Sequence, residues 1–109
     1  MKLFNIIMPL SLSICLYAEQ SDVNVDCLTL IDENSIICKY TQTRVDFEKT
    51  LTFNWIDPNG VTSRSREMFL PAHHGSVYDY RYLSGRLHGI WEFQVIDGEN
   101  IYKTNFTID

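Results

Sequence analysis

The amino-acid sequence predicts an all-β protein, folded as an antiparallel sandwich of about seven strands. Apolar and polar residues alternate in short runs, the pattern of strands with one buried and one solvated face. Turn sequences rich in Asp, Asn, Gly and Pro separate these runs about every 8 to 12 residues. No run shows the 3.6-residue period or the N-cap of an amphipathic helix. A small closed barrel is the alternative architecture.

The clearest element is a β-hairpin over residues 89–108. Trp91, Phe93 and Val95 alternate with polar residues, and the alternation resumes after the Asp-Gly pair at 97–98. Glycine accepts the positive φ that a tight turn or bulge demands, so Asp-Gly between two such runs is a strong hairpin signal.

Five further strands are predicted, over residues 25–31, 36–41, 50–56, 61–69 and 76–83. Seven short strands with both faces used favour a sandwich of immunoglobulin type. The strand over 61–69 is polar along most of its length and has little to bury. We therefore place it at a sheet edge, where its charged side chains discourage pairing with another molecule.

Residues 1–18 are predicted to be a cleaved secretory signal peptide, and residues 19–109 a single domain. The first segment has a basic start, a short apolar run and the small residue Ala18 before the chain turns polar. Its apolar run is shorter than the ~20 residues of a membrane helix, so we expect no permanent membrane span. Lipidation at Cys15 is the alternative, but Ile14 is not the small residue that such a signal requires. The sequence therefore predicts a periplasmic or secreted protein.

Cys27 and Cys38 are the two cysteines of the predicted domain. If the first hairpin turns about residues 32–33, they lie opposite each other, and an oxidising compartment would let them form a disulfide. They are otherwise two small buried residues, or a register shift of one points them to opposite faces. No C-x-x-C motif is present, so we expect no catalytic dithiol.

The strand over 76–83 carries tyrosines at every second position. Tyr78, Tyr80 and Tyr82 share one face, with Asp79 and Arg81 on the other. We expect the tyrosines to lie in the core and the charges in water. Aromatic residues at every second position of a sandwich strand are normally buried. The alternative is an exposed aromatic platform for a sugar or a peptide, with Arg81 adding directional donors.

Three short patterns occur in order along the second half of the chain: Trp55-x-x-Pro58-x-Gly60, Gly89-x-Trp91-x-Phe93-x-Val95-x-Asp97-Gly98 and Phe106-x-Ile108. Together they resemble the C-terminal part of small bacterial immunoglobulin-like domains in exported proteins, many of unassigned function. The resemblance covers about residues 50–109. These are turn and core positions, so the resemblance implies a fold and export and carries over no functional residue. The sequence departs from antibody-type domains, which have a buried tryptophan packed on a disulfide between the sheets.

A metal site is the basis of an alternative function, that of a periplasmic metal-handling protein. Met68, His73 and His74 are the candidate copper or zinc ligands. Adjacent residues of an extended segment point opposite ways, however, so one metal seldom takes both histidines. His88 is separated from this loop by a whole strand. Solvated loop histidines are the usual outcome of such a pattern.

Enzyme chemistry has no support in the sequence. The serines lack a G-x-S-x-G elbow, no glycine-rich phosphate loop is present, and the carboxylates lie on turns and strand faces. We predict that the protein is not an enzyme and needs no cofactor. The net charge of -5 also argues against binding to nucleic acid.

These exclusions leave a binding or interaction module whose partner is another exported protein. Arg64 and Arg66 would share an exposed face of the edge strand, where we expect solvated charges; the alternative, and the candidate site, is that they hold an anionic partner. His73 and His74 lie in the loop over 71–75, and loops on a rigid scaffold carry recognition.

Overall fold

The computed structural model describes residues 22–109, which form seven β-strands in two antiparallel sheets. The strands are β1 (Asn24–Leu30), β2 (Ser35–Thr41), β3 (Lys49–Ile56), β4 (Thr62–Leu70), β5 (Ser76–Tyr82), β6 (Gly89–Asp97) and β7 (Asn100–Ile108). A single 3-10 turn, Ile31–Glu33, joins β1 to β2. The predicted all-β sandwich is confirmed, and the strands agree with the predicted bounds to within one residue.

The predicted signal peptide and the alternative lipidation at Cys15 lie outside the described residues. Within the described part of the chain, no helix is long and apolar enough to cross a membrane.

One sheet has the strand order β1-β2-β5, and the other has the order β4-β3-β6-β7. All neighbouring strands are antiparallel. The arrangement is compatible with an immunoglobulin-like sandwich. The polar strand β4 lies at a sheet edge, as predicted, and β5 is an edge strand of the opposite sheet.

The core lies between the sheets and is rich in aromatic side chains. Its buried hydrophobic residues are Ile36, Cys38, Tyr40, Leu51, Phe53, Trp55, Leu70, Trp91, Phe93, Val95, Phe106 and Ile108. The ring of Phe93 meets the rings of Phe53 and Trp55 edge to face, with centroids 5.0 Å and 5.1 Å away. Such pairs contribute about 0.5–1.5 kcal/mol each beyond the burial of their area. The buried face predicted for β6, formed by Trp91, Phe93 and Val95, is therefore confirmed.

The predicted closing hairpin is also confirmed. Asp97 of β6 pairs with Asn100 of β7, and Gly98 between them has a φ of 61°. A side chain at that position would be strained, which is why the turn favours glycine.

The pairing of Cys27 with Cys38 is confirmed. The two residues are register partners in the β1–β2 hairpin, with Cα atoms 4.1 Å apart, and their sulfur atoms form a disulfide. The bond joins two neighbouring strands of one sheet, whereas the antibody-type bond crosses between sheets. A disulfide is compatible with an oxidising compartment.

Replacing both Cys27 and Cys38 with serine should lower the free energy of unfolding by roughly 2–3 kcal/mol, because the unfolded chain gains the entropy of an open loop. Chemical denaturation with and without a reducing agent measures this difference. The reducing agent should destabilise the natural protein and leave the double variant unchanged. Equal stability of the oxidised and reduced natural protein would contradict the prediction.

Candidate functional site

Strand β5 presents its two faces opposite to the sequence prediction. Asp79 and Arg81 are buried, with 4% and 8% of their surface exposed, whereas Tyr78, Tyr80 and Tyr82 are between 50% and 58% exposed. The expectation of a tyrosine core with solvated charges was therefore wrong. The side chains that face the core here are the charged ones.

The reason for this reversal is the set of donors that surrounds the Asp79 carboxylate. Its Oδ2 accepts a hydrogen bond from Trp55 Nε1 at 3.1 Å. Its Oδ1 accepts from Arg66 Nη1 at 2.9 Å and from the backbone N–H of Tyr80 at 3.0 Å. Arg64 Nη1 lies 3.2 Å from Oδ2. A carboxylate is buried at tolerable cost only when it is paired and hydrogen-bonded in this way.

These contacts join the two sheets along one side of the sandwich. Asp79 belongs to the three-stranded sheet, while Trp55, Arg64 and Arg66 belong to β3 and β4 of the four-stranded sheet. We call these four residues the Asp79 cluster.

Arg64 and Arg66 share one face of β4, as predicted, but that face is turned toward the other sheet. They are register partners of Trp55 and Phe53, which lie in the core. Their side chains are 33% and 51% exposed, and the anion that both contact is Asp79. Both charges are therefore paired with Asp79, while the side chain of Arg66 stays half exposed at the sheet edge. Binding of an external anion by the two arginines stays a prediction.

Arg81 lies beside the cluster and is held on two sides. Its Nη1 donates a hydrogen bond to Ser63 Oγ at 3.0 Å, and its guanidinium carbon lies 5.6 Å from the centre of the Trp55 ring. Its Nε is buried and has no hydrogen-bond partner among residues 22–109. Burial, followed by the nearby positive charges of Arg86 and Arg64, lowers the pKa of Arg81 to about 10.

A cleft of about 190 Å³ opens at this side of the sandwich. It is lined by Arg64, Arg66, Asp79, Tyr80, Arg81, Tyr82 and Arg86, and we call it the arginine cleft. Arg86 comes from the turn after β5, where its Nε donates to the carbonyl oxygen of Tyr82 at 3.1 Å. The cleft therefore gathers four arginines around one aspartate, in a chain whose net charge is -5.

The exposed side of β5 continues onto the outer face of its sheet. Leu28, Ile37 and Tyr80 form one row across the three strands, and Tyr78 and Tyr82 lie above and below Tyr80 on β5. The rings of Tyr80 and Tyr82 meet edge to face at 6.1 Å. We call these five residues the tyrosine face. A depression of about 410 Å³ on it is lined by Asp26, Leu28, Ile37, Lys39 and Tyr78.

The candidate metal ligands lie elsewhere. Met68 packs against the core from β4, while His73 and His74 are exposed in the loop before β5. The backbone N–H of His73 donates to the carbonyl oxygen of Val45 at 2.7 Å. No group of three His, Cys, Asp or Glu side chains suited to a metal ion occurs within residues 22–109. The metal-handling function stays a prediction.

No protein-family model matches the chain, and no curated protein matches it. The likeness to bacterial immunoglobulin-like domains therefore rests on the patterns in the sequence, and the structure supports its coarser content, a small antiparallel all-β fold.

Sequence reasoning missed Trp55, Asp79 and Arg86 as members of a site and took Arg81 as solvated. One signal for the cleft is present in the sequence. Four of the five arginines of the chain fall within residues 64–86, on strands β4 and β5 and in the turn after β5. Such clustering in an acidic chain indicates a local positive surface.

Replacing Asp79 with alanine removes the acceptor of the Trp55 indole and the counter-ion of two arginines. We expect the free energy of unfolding to fall by about 3 kcal/mol, because buried donors and a positive charge lose their partner. Urea denaturation followed by tryptophan fluorescence measures the change.

The matched control is Glu99→Ala, which removes a carboxylate from an exposed turn residue. It should change the free energy of unfolding by less than about 0.5 kcal/mol. A similar loss in both variants would show that the Asp79 contacts contribute nothing specific.

Proposed function

We propose that this protein is an exported binding module that holds another exported protein on its tyrosine face. The observation that carries the proposal is the exposure of the three tyrosines, each at least half accessible on the surface of a packed sandwich. Tyrosine offers a large, rigid contact area at a low cost in side-chain entropy, which is why it is enriched at protein interfaces. The predicted signal peptide and the disulfide support export.

The middle rows of the two outer faces differ in a way that favours this choice of surface, although Ile90 and Ile101 are also exposed on the four-stranded sheet. The four-stranded sheet carries Asn54, Gln94 and Lys103 in one row across its middle. The three-stranded sheet carries Leu28, Ile37 and Tyr80 in the corresponding place. Contiguous exposed apolar surface rimmed by polar groups is typical of interaction sites.

The area of the tyrosine face indicates how far the partner must extend. The three half-exposed tyrosines of this face supply roughly 300 Å² of contact area, at about 100 Å² each. Each side of a standard protein interface contributes about 800 Å². A stable complex therefore has to include neighbouring surface, and the arginine cleft, which shares Tyr80 and Tyr82 with the tyrosine face, is next to it.

Site-specific photo-crosslinking in the exporting cell tests the proposal. A photoreactive amino acid placed at Tyr80 should give a covalent adduct with one protein of defined mass. The matched control is the same probe at Ile101, which is 56% exposed, against 50% for Tyr80, and lies on the outer face of the opposite sheet. Serine at positions 78 and 82 should weaken the adduct formed from position 80, because the partner loses two aromatic contacts.

Two outcomes would overturn the proposal. Identical adducts from positions 80 and 101 would show that collisions, and not a binding face, determine the crosslinks. An adduct of twice the mass of the chain would show that the tyrosine face binds a second copy of this protein.

A further inference from the structure

The arginine cleft holds more positive charge than the residues that line it neutralise. Four arginines line it, and Asp79 is its only acidic residue. Arg64 and Arg66 already contact both oxygens of that carboxylate. Arg81 and Arg86 have no carboxylate of their own among the residues that line the cleft. Like charges gathered at a partly dry surface repel one another, so the cleft is an attractive place for an anion.

Hydrogen-bond donors in the cleft are also in excess. Arg64 and Arg66 reach Asp79 through Nη1 alone, Arg81 reaches Ser63 through Nη1, and Arg86 uses Nε. A guanidinium carries five N–H donors, so these bonds employ a minority of the donors present. The buried Nε of Arg81 has no partner within the described chain. A buried donor without an acceptor is unfavourable, and an oxyanion brings several acceptor lone pairs at once.

The donors are held in place before any ligand arrives. Asp79 positions Arg64 and Arg66, Ser63 and the Trp55 ring position Arg81, and the carbonyl oxygen of Tyr82 positions Arg86. Binding to such a site requires little loss of side-chain freedom, so the contact energy is available for affinity.

The position of the cleft indicates what presents the anion. Tyr80 and Tyr82 belong both to the arginine cleft and to the tyrosine face. A protein bound to the tyrosines therefore lies next to the guanidinium groups. A side-chain carboxylate from that segment has the planar geometry that arginine binds through two parallel hydrogen bonds.

We propose that the arginine cleft binds one oxyanion, supplied by an acidic side chain of the protein partner that lies on the tyrosine face. This inference rests on the proposed function, since it names the chemistry by which that partner is recognised. It assigns Arg81 and Arg86 as anion-binding residues and Arg64 and Arg66 as donors shared with Asp79.

Titration of the full chain with sodium sulfate, sodium phosphate and sodium acetate, each against sodium chloride at equal ionic strength, tests the anion site. The readout is the ¹H–¹⁵N spectrum of the arginine Nε groups. The Arg81 and Arg86 signals should shift and saturate with an oxyanion and remain unchanged with chloride. Arg44, which is exposed and outside the cleft, is the internal control and should not respond. Shifts that never saturate, or that appear equally at Arg44, would overturn the proposal.

Matched variants separate local binding from a general effect of charge. Arg86→Gln should weaken oxyanion binding at least tenfold, because the turn loses a charged donor and keeps its backbone. Arg44→Gln removes the same charge elsewhere and should leave the affinity unchanged. An equal loss in both variants would overturn the site. If Arg86→Gln fails to fold, Arg86→Lys keeps the charge, removes the paired donors, and should still weaken binding several-fold.

Competition distinguishes the sources of the oxyanion. A hexaglutamate peptide should displace the oxyanion from the cleft, while a hexaglutamine peptide should not. Displacement by an acidic polysaccharide such as polygalacturonate, with none by hexaglutamate, would overturn the assignment to a protein partner.

The two proposals fail in different ways. A crosslink at position 80 that persists in the Arg86→Gln variant and in excess sulfate would show that the partner supplies no anion to the cleft, which would refute this inference and leave the binding module standing. A saturable oxyanion site in a protein that gives no crosslink would refute the binding module and leave the cleft as an anion site.

Discussion

The buried carboxylate of Asp79 is the interaction on which the arrangement of this sandwich depends. A charged group that is 4% exposed is unfavourable unless donors replace the water it has lost. Trp55, Arg64 and Arg66 supply those donors from the opposite sheet. The two edge strands β4 and β5 are therefore joined across the interior by charge-assisted hydrogen bonds.

The same interaction determines which side chains reach the surface. Successive side chains of a strand point to opposite faces, so turning Asp79 and Arg81 inward turns the three tyrosines outward. Arg64 and Arg66 are turned inward on β4 for the same reason. A single buried carboxylate thus accounts for both an exposed aromatic face and a basic cleft beside it.

Much of the fold could be predicted because strands and turns follow from patterns among residues that are close in the sequence. Alternation and turn residues located all seven strands, and counting outward from the Asp32-Glu33 turn placed Cys27 opposite Cys38. The orientation of β5 could not be read in the same way. Residues 78–82 alternate aromatic and charged side chains, so either set could face inward according to the pattern alone. The outcome depends on Trp55 and two arginines that lie 13 to 24 residues away in the chain, and local periodicity does not report such partners.

The arginine cleft contains more guanidinium groups than the Asp79 carboxylate needs as donors. The Trp55 indole, a backbone N–H and one arginine would already hydrogen-bond the Asp79 carboxylate. Arg81 and Arg86 add charge beyond that of the one carboxylate lining the cleft, and the lowered pKa of Arg81 reflects first of all the burial of its guanidinium. Buried ionic groups can often be replaced by apolar side chains of similar volume with no loss of stability. On the proposed assignment, an anion of the partner matches the surplus positive charge of the cleft, and Tyr80 and Tyr82, which also line the cleft, give that partner an adjacent contact surface.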